Sequence, residues 1–232
     1  MRFWLYHAIY PLFLFLVLII VFKQWNLDLK VARIFFNYEL NQWSFGDSWW
    51  ASTLIHRWGR TFVALIFLVA SSGFLISFLV KRLQSSRYIL GYIVLTMLLA
   101  TGAVALLQQL SNVDCPWDLW FFNGTHPYYH LFDDKAGKTL KGVCFPGGHS
   151  SGGFSLLVFY FVYRDYNKYY AYIILGIASI IGCSFAFAQW GRGAHFVSHD
   201  LWSAMICWCV ALLLYKLILQ PIRVVRQTRG LK

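Results

Sequence analysis

Apolar residues run from 10 to 22 without a charged side chain, and comparable runs recur over 61–80 and 88–107. Three more follow near 153–163, 170–187 and 201–219. The longer runs approach the ~20 residues a helix needs to cross the hydrocarbon core of a bilayer. A helix that is apolar all round has no wet face, so it belongs in a core or in lipid. The pattern predicts an all-α polytopic membrane protein, one domain over 1–232. Six transmembrane helices are expected at about 8–23, 60–80, 88–107, 149–163, 170–188 and 200–219, with an outer loop over 108–148.

Composition strengthens that picture. Hydrophobic residues make up 59% of the chain and charged residues only 12%. A soluble domain carries roughly 25% charged residues, so much of the usual polar covering is missing. The stretch IIVFKQWN offers no small-residue cleavage site after the first apolar run, so an uncleaved first helix is expected rather than a signal peptide. Trp25, Trp49, Trp58, Trp117 and Trp190 lie at or beyond segment ends, where indoles anchor at the membrane interface.

The formal net charge is +11, which raises nucleic acid as a partner. The distribution argues against it. Lys81, Arg82 and Arg87 fall between the second and third segments, Arg164 and Lys168 between the fourth and fifth. Lys216, Arg223, Arg226, Arg229 and Lys232 close the chain. With six spans these positions share one side, which the positive-inside rule makes cytoplasmic. Both termini are then cytoplasmic, in a cytoplasmic (inner) membrane, with the basic tail beside anionic headgroups. No nucleic-acid partner is expected.

The opposite side receives the segments at about 24–58, 108–148 and 188–200. Cys115 and Cys144 sit at the two ends of the longest of these. In an oxidising compartment they can close it as a disulfide, and otherwise they are two unrelated buried thiols. Cys183, Cys207 and Cys209 lie inside apolar runs, where a thiol packs as a small hydrophobe.

Ionisable residues beside membrane spans are candidate functional groups. In CFPGGHSSGG, Pro146, Gly147 and Gly148 lead into an apolar helix, followed by His149, Ser150 and Ser151. The first N–H groups of a helix lack intrahelical partners and form an anion site that glycine lets a ligand approach. His149 stands beside it and can protonate a leaving oxygen. In GRGAHFVSHD, Arg192, His195 and His199 are spaced three and four apart, which on a helix is one face. A histidine there can attack phosphorus while Arg192 holds non-bridging oxygens and Asp200 orients the imidazole. His126 and His130, at i and i+4, raise zinc as a minority reading, set aside for want of a third ligand.

PGGH followed about forty residues later by GAHF and an aspartate resembles the type 2 phosphatidic acid phosphatase superfamily of membrane lipid phosphatases. The resemblance implies a six-helix core with its site at the outer face, covering nearly the whole chain. It makes His149 the general acid and His195 the nucleophile, oriented by Asp200, with no metal and no cofactor. Where the family carries a lysine and an arginine–proline pair, this chain has Gln108 and Cys115–Pro116. Gln189 stands where the family's second arginine is expected. Arg192, Gly147, Gly148, Lys138 and Lys141 are therefore expected to bind the phosphate, with His199 in support. The expected substrate is a membrane phospholipid, polyprenyl pyrophosphate or lipid A phosphate. The expected activity is lipid phosphatase or phosphotransferase, and a small membrane transporter is the rival class.

Overall fold

The computed structural model describes residues 2–131, 133 and 141–228, with side chains to 224. It is mostly helical. Helix α1 spans Arg2–Gln24 and turns at Asn26, in the left-handed region (φ 48°), into α2, Leu27–Phe35. A two-residue ladder follows, β1 (Phe36–Asn37) against β2 (Gln42–Trp43), antiparallel. Helix α3 runs Trp50–Ile76 and α4 runs Arg87–Ser111. Helices α5 (Gly148–Ser155) and α6 (Val158–Tyr163) lead to α7 (Lys168–Gly191) and α8 (Val197–Leu214), which continues through Tyr215–Leu219 into Gln220–Thr228.

Among the described residues, five helices are long and apolar enough to cross a membrane: α1, α3, α4, α7 and α8 with their continuous extensions. Their outward faces carry exposed residues such as Phe13, Ile20, Val69 and Ile180, which suits a lipid surround and would be a liability in water. The stretch expected as a span at 149–163 differs. It is broken at Leu156–Leu157, where N–H groups bond back three residues instead of four. Ser151 and Ser155 donate their hydroxyls to the carbonyls of Gly148 and Gly152 (2.7 and 2.6 Å), the local competition that weakens a helix.

This broken pair is the centre of the molecule. Val158 and Phe161 are fully buried, packed with Tyr92, Met97 and Ala211 in one core. Composition explains the approach. A Cβ at Gly153 would lie 2.7 Å from the Gly182 Cα, so α5 and α7 touch backbone to backbone. Small residues are how helices associate closely where no hydrophobic force operates between them.

The segment 24–58, expected as an interfacial loop, folds instead into α2, the short ladder and the first turns of α3. Phe36 packs edge to face on Trp43 and Phe122, which are tilted against each other, with ring centroids 4.9–5.4 Å apart, roofing one end of the bundle. Phe45 N–H donates to the Gly191 carbonyl (2.9 Å) and fastens this roof to the turn after α7.

Candidate active site

Gly147 and Asp200 bind the start of α5 to the start of α8. Gly147 N–H donates to the His199 carbonyl (3.1 Å), and its own carbonyl accepts from Ser203 Oγ (2.8 Å). The Asp200 carboxylate accepts from Ser150 Oγ (2.5 Å) on one oxygen and from Trp190 Nε1 (2.6 Å) on the other. A Cβ on Gly147 would collide with that carboxylate. The glycine is thus required by packing. This corrects its expected role, because its N–H is committed to the protein and not open to phosphate.

The expected single helical face for Arg192, His195 and His199 is not formed. Helix α7 ends at Gly191, and residues 192–196 form a turn through Gly193 (φ 71°) before α8 starts at Val197. A side chain at 193 would meet the Trp43 ring, so the roof and the turn require glycine together. The turn puts the two histidines on different elements, yet their rings stay 6.1 Å apart by centroid, edge to face. His195 is half-buried, whereas His199 is buried between Phe145 and Phe196, both 5.3 Å away by ring centroid. His199 lines a small cavity of about 60 Å³ with Asp28 and Tyr128.

His195 Nδ1 lies 2.9 Å from the Cys144 carbonyl oxygen. A carbonyl only accepts, so Nδ1 carries the proton and Nε2 keeps its lone pair. The expected partner was Asp200. That carboxylate is held by Ser150 and Trp190 instead, and it acts on His195 only through space. Its burial with two donors makes it a brace between α5, α7 and α8.

The substituted family positions also converge. The Gln108 amide sits over Gly148, 2.8–2.9 Å from where a Cβ would be, so a neutral amide occupies the first lysine's place. Buried Gln189 accepts from Arg192 (3.3 Å). Burial draws the Arg192 guanidinium below its ordinary pKa, the mark of a cation short of solvent and suited to an anion. Lys141 is exposed on the segment whose neighbours Gly142 and Cys144 bond to Asn112 and Val113. Lys138 lies outside the described residues.

Sequence reasoning missed three residues. His56, on α3, places its ring 4.5 Å from that of His149, whose other face stacks on Phe185 at 4.7 Å. Arg60 follows one turn later, and Arg192, Arg60, Arg57 and His195 all lie within electrostatic range of His56. His56, Arg60, Gly148 and His149 line one cavity of about 450 Å³, walled by Phe67, Met97 and other apolar groups of α3 and α4. His149 Nε2 is buried with no hydrogen-bond partner. The i, i+4 spacing of His56 and Arg60 was the available signal. The third residue, Asp28, accepts from Ser198 N–H (3.0 Å) and Oγ (2.6 Å) at the first turn of α8.

Cys115 and Cys144 are joined as a disulfide, with Cα atoms 5.2 Å apart. Two groups of side chains place possible metal-ligand atoms within 4.8 Å of one another: Cys115, Asp118 and Cys144, and Asp114, Asp118 and His126. The sulfurs of the first are bonded to each other, and His126 Nδ1 pairs with Asp114 (2.7 Å) in the second. The His130 ring lies instead against Tyr128, with Nδ1 3.4 Å from the Tyr128 hydroxyl, and among the described residues His130 joins no such group with His126.

A bundle of long apolar helices, with histidines, an arginine and a glycine-led helix start gathered at one end, has the character of a helical membrane protein. Residues 89–223 match the PAP2 superfamily, and the chain belongs to it. That superfamily is one of phosphatases, which makes the chemistry of this chain a phosphatase-type phosphoester hydrolysis. Neither the curated proteins nor the solved structures gave a match.

Proposed function

We propose that the chain is an integral membrane lipid phosphatase working through a phosphohistidine. The observation that carries this reading is the His195 Nδ1–Cys144 carbonyl contact, which leaves Nε2 as the nucleophilic nitrogen. Nε2 attacks phosphorus, and the bond from phosphorus to the lipid oxygen breaks. That oxygen takes its proton from His149. Water then attacks the phosphohistidine while His149 removes a water proton; the P–N bond breaks and phosphate leaves.

Arg192 and Arg60 supply positive charge in place of the family's lysine and arginine, while a His56 ring N–H and the Gly148 N–H add donors near the start of α5. In a water-poor site such donors act far more strongly than in solution. The cavity beside His149 has apolar walls from α3 and α4, so a lipid tail fits where its headgroup meets the cations. The step uses side chains and water alone, with no metal. The bundle takes six spans, counting the broken α5–α6 pair, with both termini cytoplasmic and the site at the outer face of the inner membrane.

Phosphate release by the purified protein from phosphatidic acid, phosphatidylglycerol phosphate, polyprenyl pyrophosphate and lipid A tests the reading. Release from at least one, with an acid-labile phosphoprotein, supports it. Release from none overturns it. Transfer of the phosphate to a second lipid instead of water would make the chain a phosphotransferase.

A further inference from the structure

The end of the bundle opposite the histidines has its own built site. Helix α7 has 24 residues, so its start at Lys168 lies ~36 Å from the Arg192 turn. There Arg2, Arg164 and Lys168 line a cavity of about 370 Å³ with Phe3 and Ala171. A second cavity of about 580 Å³ runs on between α1, α5–α6, α7 and α8, walled by Leu14, Phe15, Leu175 and Met205. The two share Tyr6, His7, Tyr160 and Tyr172, so a cationic mouth opens into an apolar groove.

The mouth is rigid. Arg164 donates to Tyr215 Oη (2.9 Å) and lies over the Phe3 ring at 4.5 Å, with Lys216 Nζ over that ring at 3.6 Å. Asp165 is a carboxylate nearby, and it pairs with both Arg223 (2.7 Å) and Arg164 (3.5 Å), so one acid faces these two cations as well as Arg2, Lys168 and Lys216. Positive charge therefore exceeds negative at the mouth. At the shared neck, buried His7 bonds Tyr160 Oη through Nε2 (2.8 Å), and its carbonyl accepts from Trp208 Nε1 (2.7 Å). The polar neck suits the ester level of a lipid. The groove beyond it suits an acyl chain, which has no water to compete with in a bilayer.

We propose that this paired cavity is a binding site for one anionic phospholipid of the surrounding bilayer, its headgroup on Arg2, Arg164 and Lys168 and an acyl chain between α1 and α7. The site is separate from the catalytic cavity and uses none of its residues. Its occupant splints α1, an outlying helix with many exposed apolar residues, to the rest of the bundle.

The test is native mass spectrometry and thermal unfolding of the detergent-solubilised protein with added phosphatidylglycerol or phosphatidylcholine. The wild type should retain phosphatidylglycerol and gain several degrees more from it than from phosphatidylcholine. Exposed Arg2 and Lys168 can be changed without disturbing the core, and Arg2→Gln with Lys168→Gln should abolish that preference while leaving phosphatase activity intact. Ser179→Phe, which fills the groove, should prevent lipid retention with the cations in place. Equal stabilisation by the two lipids, or an undiminished preference in the double variant, overturns the proposal. So does displacement by millimolar inorganic phosphate, which would place the lipid at the histidines. Inorganic phosphate alone reproducing the stabilisation, with loss in the double variant, would show a free-anion site and likewise overturn it.

Discussion

Asp28 holds Ser198 with both carboxylate oxygens, 3.0 Å to its N–H and 2.6 Å to its hydroxyl, across 170 residues of chain. The contact caps α8 two residues before Asp200, from a helix outside the family match. Burial raises the Asp28 carboxyl from 3.8 to about 6, against the lowering effect of Ser198. A raised carboxyl means that the folded protein binds the proton more tightly than the unfolded chain. Its contribution to stability is therefore full below about pH 4 and lost as pH rises through 6. Asp28→Asn lacks this titration, so its melting temperature relative to wild type should rise between pH 4 and pH 7. A pH-independent difference would remove Asp28 from that role.

Gly147→Ala tests the packing against Asp200. The added methyl needs the space of the carboxylate, so Ser150 and Trp190 must lose it or α5 must move. Overpacking of this kind costs ~1–3 kcal/mol. A lowered melting temperature and a loss of at least tenfold in kcat/KM are expected, with Gly176→Ala, where a methyl meets open space on α7, as the control.

His195 and His149 should separate kinetically. His195→Ala should abolish both turnover and the phosphoenzyme. His149→Ala should slow hydrolysis of a lipid ester ~100-fold or more but spare an activated aryl phosphate, whose leaving group needs little protonation. His199→Ala should cost about tenfold, ~1.4 kcal/mol of barrier, through repacking between Phe145 and Phe196. A phosphoenzyme that survives in His195→Ala and vanishes in His199→Ala would exchange their roles.

Arg60 and His56 should act on phosphate binding. Arg60→Gln is expected to raise KM about tenfold with little change in kcat, whereas Arg60→Lys, which keeps the charge, should recover most of the loss. Unchanged KM for both variants would exclude α3 from the phosphate site.

The Cys115–Cys144 bond closes a separation of 29 residues, which is worth about 3–4 kcal/mol when unstrained. Mild reduction should lower the melting temperature and slow turnover together, read by unfolding and phosphate release on one sample. Loss of stability without loss of turnover would confine the bond to a structural role.

The membrane helices were legible because lipid imposes a length and an apolar composition that short windows reveal. The local contexts of His149 and His195 singled them out as candidates, and the fold sets the two within electrostatic range of each other. The break at Leu156–Leu157 was not, since it arises from serine hydroxyls turning back onto α5 and from helices packed around it. The helical spacing of Arg192, His195 and His199 misled, because Gly193 ends α7 between them. His56, Arg60 and Asp28 were not singled out, since their proximity to the site is set by how α2 and α3 fold back over 24–58.

The group that fixes the His195 tautomer is the oxygen of a peptide bond. Alanine scanning leaves that oxygen in place at every position, and a survey of side chains would find the histidine apparently unsupported. Spacing is what it is sensitive to: one residue deleted between 144 and 147 would carry the carbonyl away from the imidazole while keeping every catalytic side chain. The length of this short segment is thus as much a part of the site as the histidines, and insertions or deletions there should be far less tolerated than substitutions of the same residues.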